Sequence, residues 1–343
     1  MSSTGDGMSY VGLGAVDVFQ PSPPPPPPPG TEYKSSLTLS DGPPNNTYSM
    51  DVSGDYLYIG LVTTPGKILK VQISTLAEVG SLTLGAGEDN IDSICIYGST
   101  LYCGLDDGRI ARVDLDTFTE FGSLLNLADP VQALYVAAGY LYACLAISPP
   151  TDNLIKLDMS TFSVVGSLSV IDAGYTVLGP NALVHSGNTL YGACGDSADK
   201  FVRIDLSTFT QISDNCLSMI SELGEQGPYG IFLVSGELYC GGLNSRLVKV
   251  DLNSFSRVDG KTISEDTLAP CGSMATKGSY LYVGTGDYPA RVARISLSSF
   301  KKVNTLEMAS GEDEAVCMKI IGDYLYFVTV NVPAILIRIL LSA

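Results

Sequence analysis

Residues 154–170 read LIKLDMSTFSVVGSLSV, and residues 68–84 read ILKVQISTLAEVGSLTL. In each, apolar and polar residues alternate, a Ser/Thr turn follows, and a second alternating run completes the unit. A two-residue period bounded by turn residues specifies β-strands rather than helices. The first half recurs as IARVDLDTF (110–118), FVRIDLSTF (201–209), LVKVDLNSF (247–255), VARISLSSF (292–300) and ILIRILLSA (335–343). Upstream of every copy stands a Leu-Tyr pair, at Leu57-Tyr58, Leu101-Tyr102, Leu141-Tyr142, Leu190-Tyr191, Leu238-Tyr239, Leu281-Tyr282 and Leu325-Tyr326. The mean spacing is about 45 residues, the length of one four-stranded propeller blade.

Each unit has the same order. A short apolar strand such as Ser93-Ile94-Cys95-Ile96-Tyr97 leads into a tight turn such as Gly98-Ser99 or Gly322-Asp323. Those turn residues tolerate the positive φ of short hairpins. The Leu-Tyr strand, a variable loop, the Lys/Arg-bearing strand and a fourth strand follow. The seventh unit stops after its third strand, and Ser35-Ser36-Leu37-Thr38-Leu39 matches Gly80-Ser81-Leu82-Thr83-Leu84. The expected fold is therefore an all-β, seven-bladed propeller of four-stranded blades. An N-terminal strand within residues 31–40 completes the last blade and removes its open edge. The domain reading is 1–20 as an anchor segment, 21–30 as a polyproline linker and 31–343 as the propeller.

Composition bounds the function. The chain of 343 residues is 45% hydrophobic and 16% charged, and carries a net charge of −17. No surplus of basic groups is available to release counterions from a phosphate backbone, so nucleic acid is not an expected partner. The first twenty residues lack Lys, Arg and a continuous apolar core, and so do not read as a signal peptide. The most apolar run, near the C-terminus, is broken by Pro333 and Arg338 and is too short to span a bilayer. A single histidine, His185, leaves no zinc set and no catalytic triad to assemble, so no catalytic residue, metal or cofactor is expected. The eight cysteines show no CxxC spacing; Cys103, Cys144, Cys194 and Cys240 fall in successive Tyr-bearing strands and read as small buried hydrophobes.

Two regions carry candidate interaction chemistry. Residues 10–19 place Val11, Leu13, Val16, Val18 and Phe19 before a nearly pure proline run, 21–29. That run, in polyproline II, spans about 28 Å as a semi-rigid spacer. An apolar segment too short to fold alone, followed by a stiff spacer, reads as an anchor that orders on a partner. Loops between second and third strands, and between one blade and the next, share one face of a propeller. They gather Asp106, Asp107, Asp152, Asp196, Asp199 and Asp287 with Glu88, Asp89, Glu312, Asp313 and Glu314. Such an acidic face suits a basic partner or supplies solubility. Seven third-strand bases, Lys70, Arg112, Lys156, Arg203, Lys249, Arg294 and Arg338, recur in every unit. Asp114, Asp158, Asp205 and Asp251 follow two residues later, on the same sheet face. Regularity in all units favours an inter-blade ladder over a ligand site. The recurring tyrosines read as inter-blade packing whose hydroxyls find partners.

The repeated KVDLxTFxxVGSLTL-like unit resembles the seven-bladed propellers of the YVTN/NHL-like group over residues 33–343; the Trp-Asp and Gly-His signature of WD40 blades is absent. This resemblance implies fold and little about activity. By analogy, plug, proline stalk and propeller head resemble a phage-type viral spike or capsid-decorating protein. That reading expects a non-enzymatic structural and attachment role at the virion surface. Residues 1–20 would meet a capsid or other assembly protein, and the loop face a protein or glycan receptor. The alternative is a soluble intracellular (cytoplasmic) or extracellular, cell-surface propeller that binds a protein or glycan through the acidic face.

Overall fold

A computed structural model describes residues 34–40, 46–127, 129–146, 152–170, 183–194, 200–212, 217–218, 228–242, 244–264 and 270–341. They form seven antiparallel sheets, each a blade. Blade 1 consists of Asn46–Ser53, Tyr56–Val62, Lys67–Gln72 and Ala77–Thr83, here the inner, second, third and outer strands. The other inner strands are Ile91–Tyr97, Val131–Ala137, Leu183–Ser186, Pro228–Val234, Cys271–Lys277 and Ala315–Ile321. Gly54, Gly98, Gly187, Gly278 and Gly322 take positive φ in the turns between inner and second strands, as the hairpin pattern requires.

Blade 7 is completed by Lys34–Thr38, which pairs antiparallel with Ile335–Leu340, Lys34 opposite Ile339 and Thr38 opposite Ile335. The closing strand is held at both ends. The Leu39 amide donates to the Ala334 carbonyl at 2.9 Å, and the Ser40 hydroxyl donates to Glu78 of blade 1 at 2.6 Å. The Lys34 ammonium pairs with Glu312, in the loop between blades 6 and 7. The expected architecture and its closure are thus observed.

Two outer strands differ from the expectation of one continuous run. In blade 1, Val79–Gly80–Ser81 bulge opposite Lys70 and Leu69, and the strand carries on. In blade 2 the four residues Phe121, Gly122, Ser123 and Leu124 face Arg112 and Ala111, one more than a bulge of that kind absorbs. The strand splits into Thr119–Glu120 and Leu125–Asn126. Blade 4 splits likewise, into Thr210–Gln211 and Leu217–Ser218. Bulging also leaves Val79, Val165, Val258 and Val303 exposed on outer edges, where a bent strand is a poor template for edge pairing.

The seams between blades explain the recurring bases. Each turn from third to outer strand holds one bulky residue in left-handed backbone: Leu76, Phe118, Phe162, Phe209, Phe255 and Phe300, with φ from 44° to 53°. That conformation costs about 1–2 kcal/mol for a side chain with a Cβ. It aims the ring at the preceding blade. Phe118 meets Tyr58, Phe162 meets Tyr102, Phe209 meets Tyr142, Phe255 meets Tyr191 and Phe300 meets Tyr239, with ring centroids 5.9–6.2 Å apart. The third-strand cation of the preceding blade stacks on the same ring: Lys70 on Phe118, Arg112 on Phe162, Lys156 on Phe209, Arg203 on Phe255 and Lys249 on Phe300. At the closing seam Arg338 instead donates to the Ile73 and Ser74 carbonyls beside Leu76, and to Ser35.

Their sequence neighbours do a different job. Asp114, Asp158, Asp205 and Asp251 accept hydrogen bonds from the turn that follows, at Thr117, Ser160 and Thr161, Ser207 and Thr208, and Ser254. Those bonds to the charged form pull the four carboxyls below the usual range. One tyrosine departs from expectation: the Tyr142 hydroxyl is buried with no partner among the described residues.

Candidate functional site: the loop face and the central channel

The loops between second and third strands and those joining blades interlock on one face. The Gly66 amide donates to the Glu88 carbonyl (2.7 Å), Asn90 to Thr63 (2.9 Å), Glu314 to Asp287 (3.1 Å) and Val330 to Asp313 (3.1 Å). The described acidic residues among those read from sequence lie in these loops, and many are tied into them. Glu88 and Glu312 are buried and occupy equivalent loops: Glu88 accepts from the Gly85 amide at 3.2 Å and Glu312 from the Ala309 amide at 2.7 Å. Asp313 exchanges hydrogen bonds with Asn331, Asp106 accepts from Asn90, Asp152 from Ser167, and Glu314 from Tyr288. Asp107 pairs with Arg109. Asp287 is 2% exposed, held by Ser264, Thr285 and Arg291. Asp89 is half-buried, with one oxygen lacking a partner among the described residues. Asp196 and Asp199 lie outside the described residues, as do Val11, Leu13, Val16, Val18 and Phe19 of the anchor segment.

Carboxylates crowd at blade 2. Burial, then Glu120, raises the Glu88 carboxyl above its usual range. Burial, then Asp106, raises Asp92 to about 6. Among the described residues no three or more His, Cys, Asp or Glu side chains converge as a metal site, and no helix is long and apolar enough to cross a membrane.

A second region was not singled out in the sequence. The seven inner strands enclose a cavity of about 530 Å³ on the propeller axis. One row around it is uniformly apolar and buried: Met50, Ile94, Leu134, Leu183, Ile231, Met274 and Met318. The next row toward the inner-to-second turns lies opposite the repeated tyrosines, and there the sevenfold pattern breaks. Its members are Asp51, Cys95, Tyr135, Val184, Phe232, Ala275 and Lys319.

The polar members serve the unpaired inner edge of the neighbouring blade. Asp51 accepts the Ile96 amide at 2.9 Å, the Val136 amide is hydrogen-bonded to the Cys95 thiol, and the Tyr135 hydroxyl accepts the His185 amide at 3.2 Å. Lys319 pairs with Asp51 at 3.0 Å. Burial, then the Asp51 charge, pushes the Cys95 thiol up to about 12. His185 stands at the edge of this arc, its Nδ1 3.0 Å from the Tyr135 oxygen. The six described cysteines whose side chains are placed, Cys95, Cys103, Cys144, Cys240, Cys271 and Cys317, are free thiols, and all but Cys95 are buried.

No protein-family model and no curated protein matches the sequence. Solved propellers match the fold. The β-propeller domain of Cps50 (Swd1) from Myceliophteria thermophila aligns over 90% of this chain and 99% of its own, with TM-score 0.70 and 15% identity. U3-55K and the RRP9 WD40 repeats each align over 90% of this chain, and over 98% and 97% of their own, with TM-score 0.70 and 11% identity. At such identity the likeness is one of fold.

Proposed function

We propose that this chain is a non-enzymatic attachment protein, a propeller head carried on a larger assembly by its N-terminal segment. A virion with a spike or decoration layer is the assembly favoured. One observation carries the reading. Antiparallel order puts the start of the closing strand at the sheet end that bears the inner-to-second and third-to-outer turns. Chain before Lys34 therefore joins the head at the end opposite the acidic loops. A tail mounted there leaves the loop face outward for a protein or glycan receptor. The proline run supplies about 28 Å of spacing in this scheme. Membership of the YVTN/NHL-like group is part of the same proposal, and rests on the repeated unit.

The anchor is tested by replacing Val11, Leu13 and Phe19 with Asp in the full chain. The triple variant is expected to lose incorporation into the native assembly, with the head's melting temperature unchanged. Normal incorporation would refute the anchor.

A further inference from the structure

Five of the seven seams repeat one stacking scheme, whereas the channel row beside the apolar girdle differs in every blade. A residue kept only for packing has no reason to break the repeat. Lys319, Asp51, Cys95 and Tyr135 fill consecutive blades on one side, and Phe232 and Ala275 fill the other. The polar side is not evenly satisfied. The Asp51 carboxylate holds three partners, Lys319 and the Val52 amide on Oδ1 (3.0 Å each) and the Ile96 amide on Oδ2. Tyr135 is spent on His185. Lys319 gives one of its three donors to Asp51, and its side chain keeps 40% of its exposure. Lys319 thus keeps unspent donors in a cavity that Phe232 also lines.

We propose that the channel binds a small organic carboxylate with an apolar body, its oxygens on the Lys319 ammonium and its hydrocarbon on Phe232 and Ala275. The cavity, about 530 Å³, is in the size range of small-molecule sites. Three donors on Asp51 disperse the charge that would otherwise repel the ligand. Thr276, with Val136 and Ile320, lines the cavity on the side of the inner-to-second turns. The proposal is independent of how the head is mounted.

The probes are 3-phenylpropionate and hexanoate, with 3-phenylpropanol and hexanol as neutral counterparts, titrated into the full chain by calorimetry and ligand-observed NMR. Both acids are expected to saturate, and both alcohols to bind about tenfold more weakly or worse, the loss of one charge-assisted hydrogen bond. Lys319→Met should bring the acids down to the alcohols. Thr276→Trp, on the side of those turns, leaves the Lys319–Asp51 pair intact and should block all four probes at an unchanged melting temperature. The chain has no tryptophan, so the new indole's emission also reports its packing. Acids and alcohols binding alike, an unaffected Trp variant, or no saturable binding of either acid would each overturn the proposal.

Discussion

Phe300→Ala is expected to destabilise the head by about 3–5 kcal/mol, the range for truncating a buried phenylalanine. Phe300 is 4% exposed and packs its ring 5.9 Å from that of Tyr239. Lys249 and Lys261 sit 5.9 and 5.0 Å from its centroid, so about 0.5–1 kcal/mol of the loss is cation stacking. Backbone geometry sharpens the test. Phe300 has φ +50°, where alanine is strained and glycine is not. Phe300→Gly should therefore be more stable than Phe300→Ala by about 1 kcal/mol. In an ordinary strand the order is the reverse. Urea-unfolding midpoints of the three proteins, at matched slopes, measure both quantities. An alanine variant as stable as the glycine variant refutes the left-handed seam residue. A loss under about 1 kcal/mol for Phe300→Ala refutes the stack as a source of ring stability.

Other consequences are as direct. Deleting residues 1–40 removes the outer strand of blade 7 and should yield aggregated or strongly destabilised protein, while deleting 1–30 should leave the melting curve of the head intact; size-exclusion chromatography and thermal melting separate the two. A Cβ on Gly241 would stand 1.7 Å from the Cys271 carbonyl oxygen of the next blade, so Gly241→Ala should cost about 1–3 kcal/mol or more in the same urea assay. Asp92, raised to about 6 by burial and Asp106, keeps a proton in the folded state that the unfolded chain releases near pH 4. Stability attributable to this group falls as pH rises through that window. Asp92→Asn should raise stability at pH 7.5 by up to about 2 kcal/mol after solvent screening, seen as a higher melting temperature, and leave it unchanged at pH 4.

Fold was legible because each blade carries the same signals at the same spacing. Leu-Tyr pairs, hairpin turns and the SSLTL match gave blade number and closure before any coordinate. The partners of the third-strand bases were not legible. Spacing put Asp114, Asp158, Asp205 and Asp251 beside those bases on a sheet face, yet a short carboxylate at a turn finds nearer amides in its own loop. The aromatic turn residue instead crosses to the preceding blade because its φ is positive, which sequence does not announce for phenylalanine. Topology assigns the acidic loops to one face, but not the fate of each residue. Burial of Glu88, Glu312 and Asp287 follows from loops that bond to one another. The channel row had a signal that composition hides. Aligning the inner strands on their turns gives the column Asp51, Cys95, Tyr135, Val184, Phe232, Ala275 and Lys319, whose chemistry changes at every step.

The measurement that bears most directly on the proposed role is electron microscopy of native particles labelled with an antibody fragment against the interlocked loops at Asp107 and Glu314. The account predicts labelled knobs, held off the particle surface, with the fragment on the outermost side. The protein found only in the soluble fraction, or labelled knobs whose loop face turns toward the particle, would contradict it.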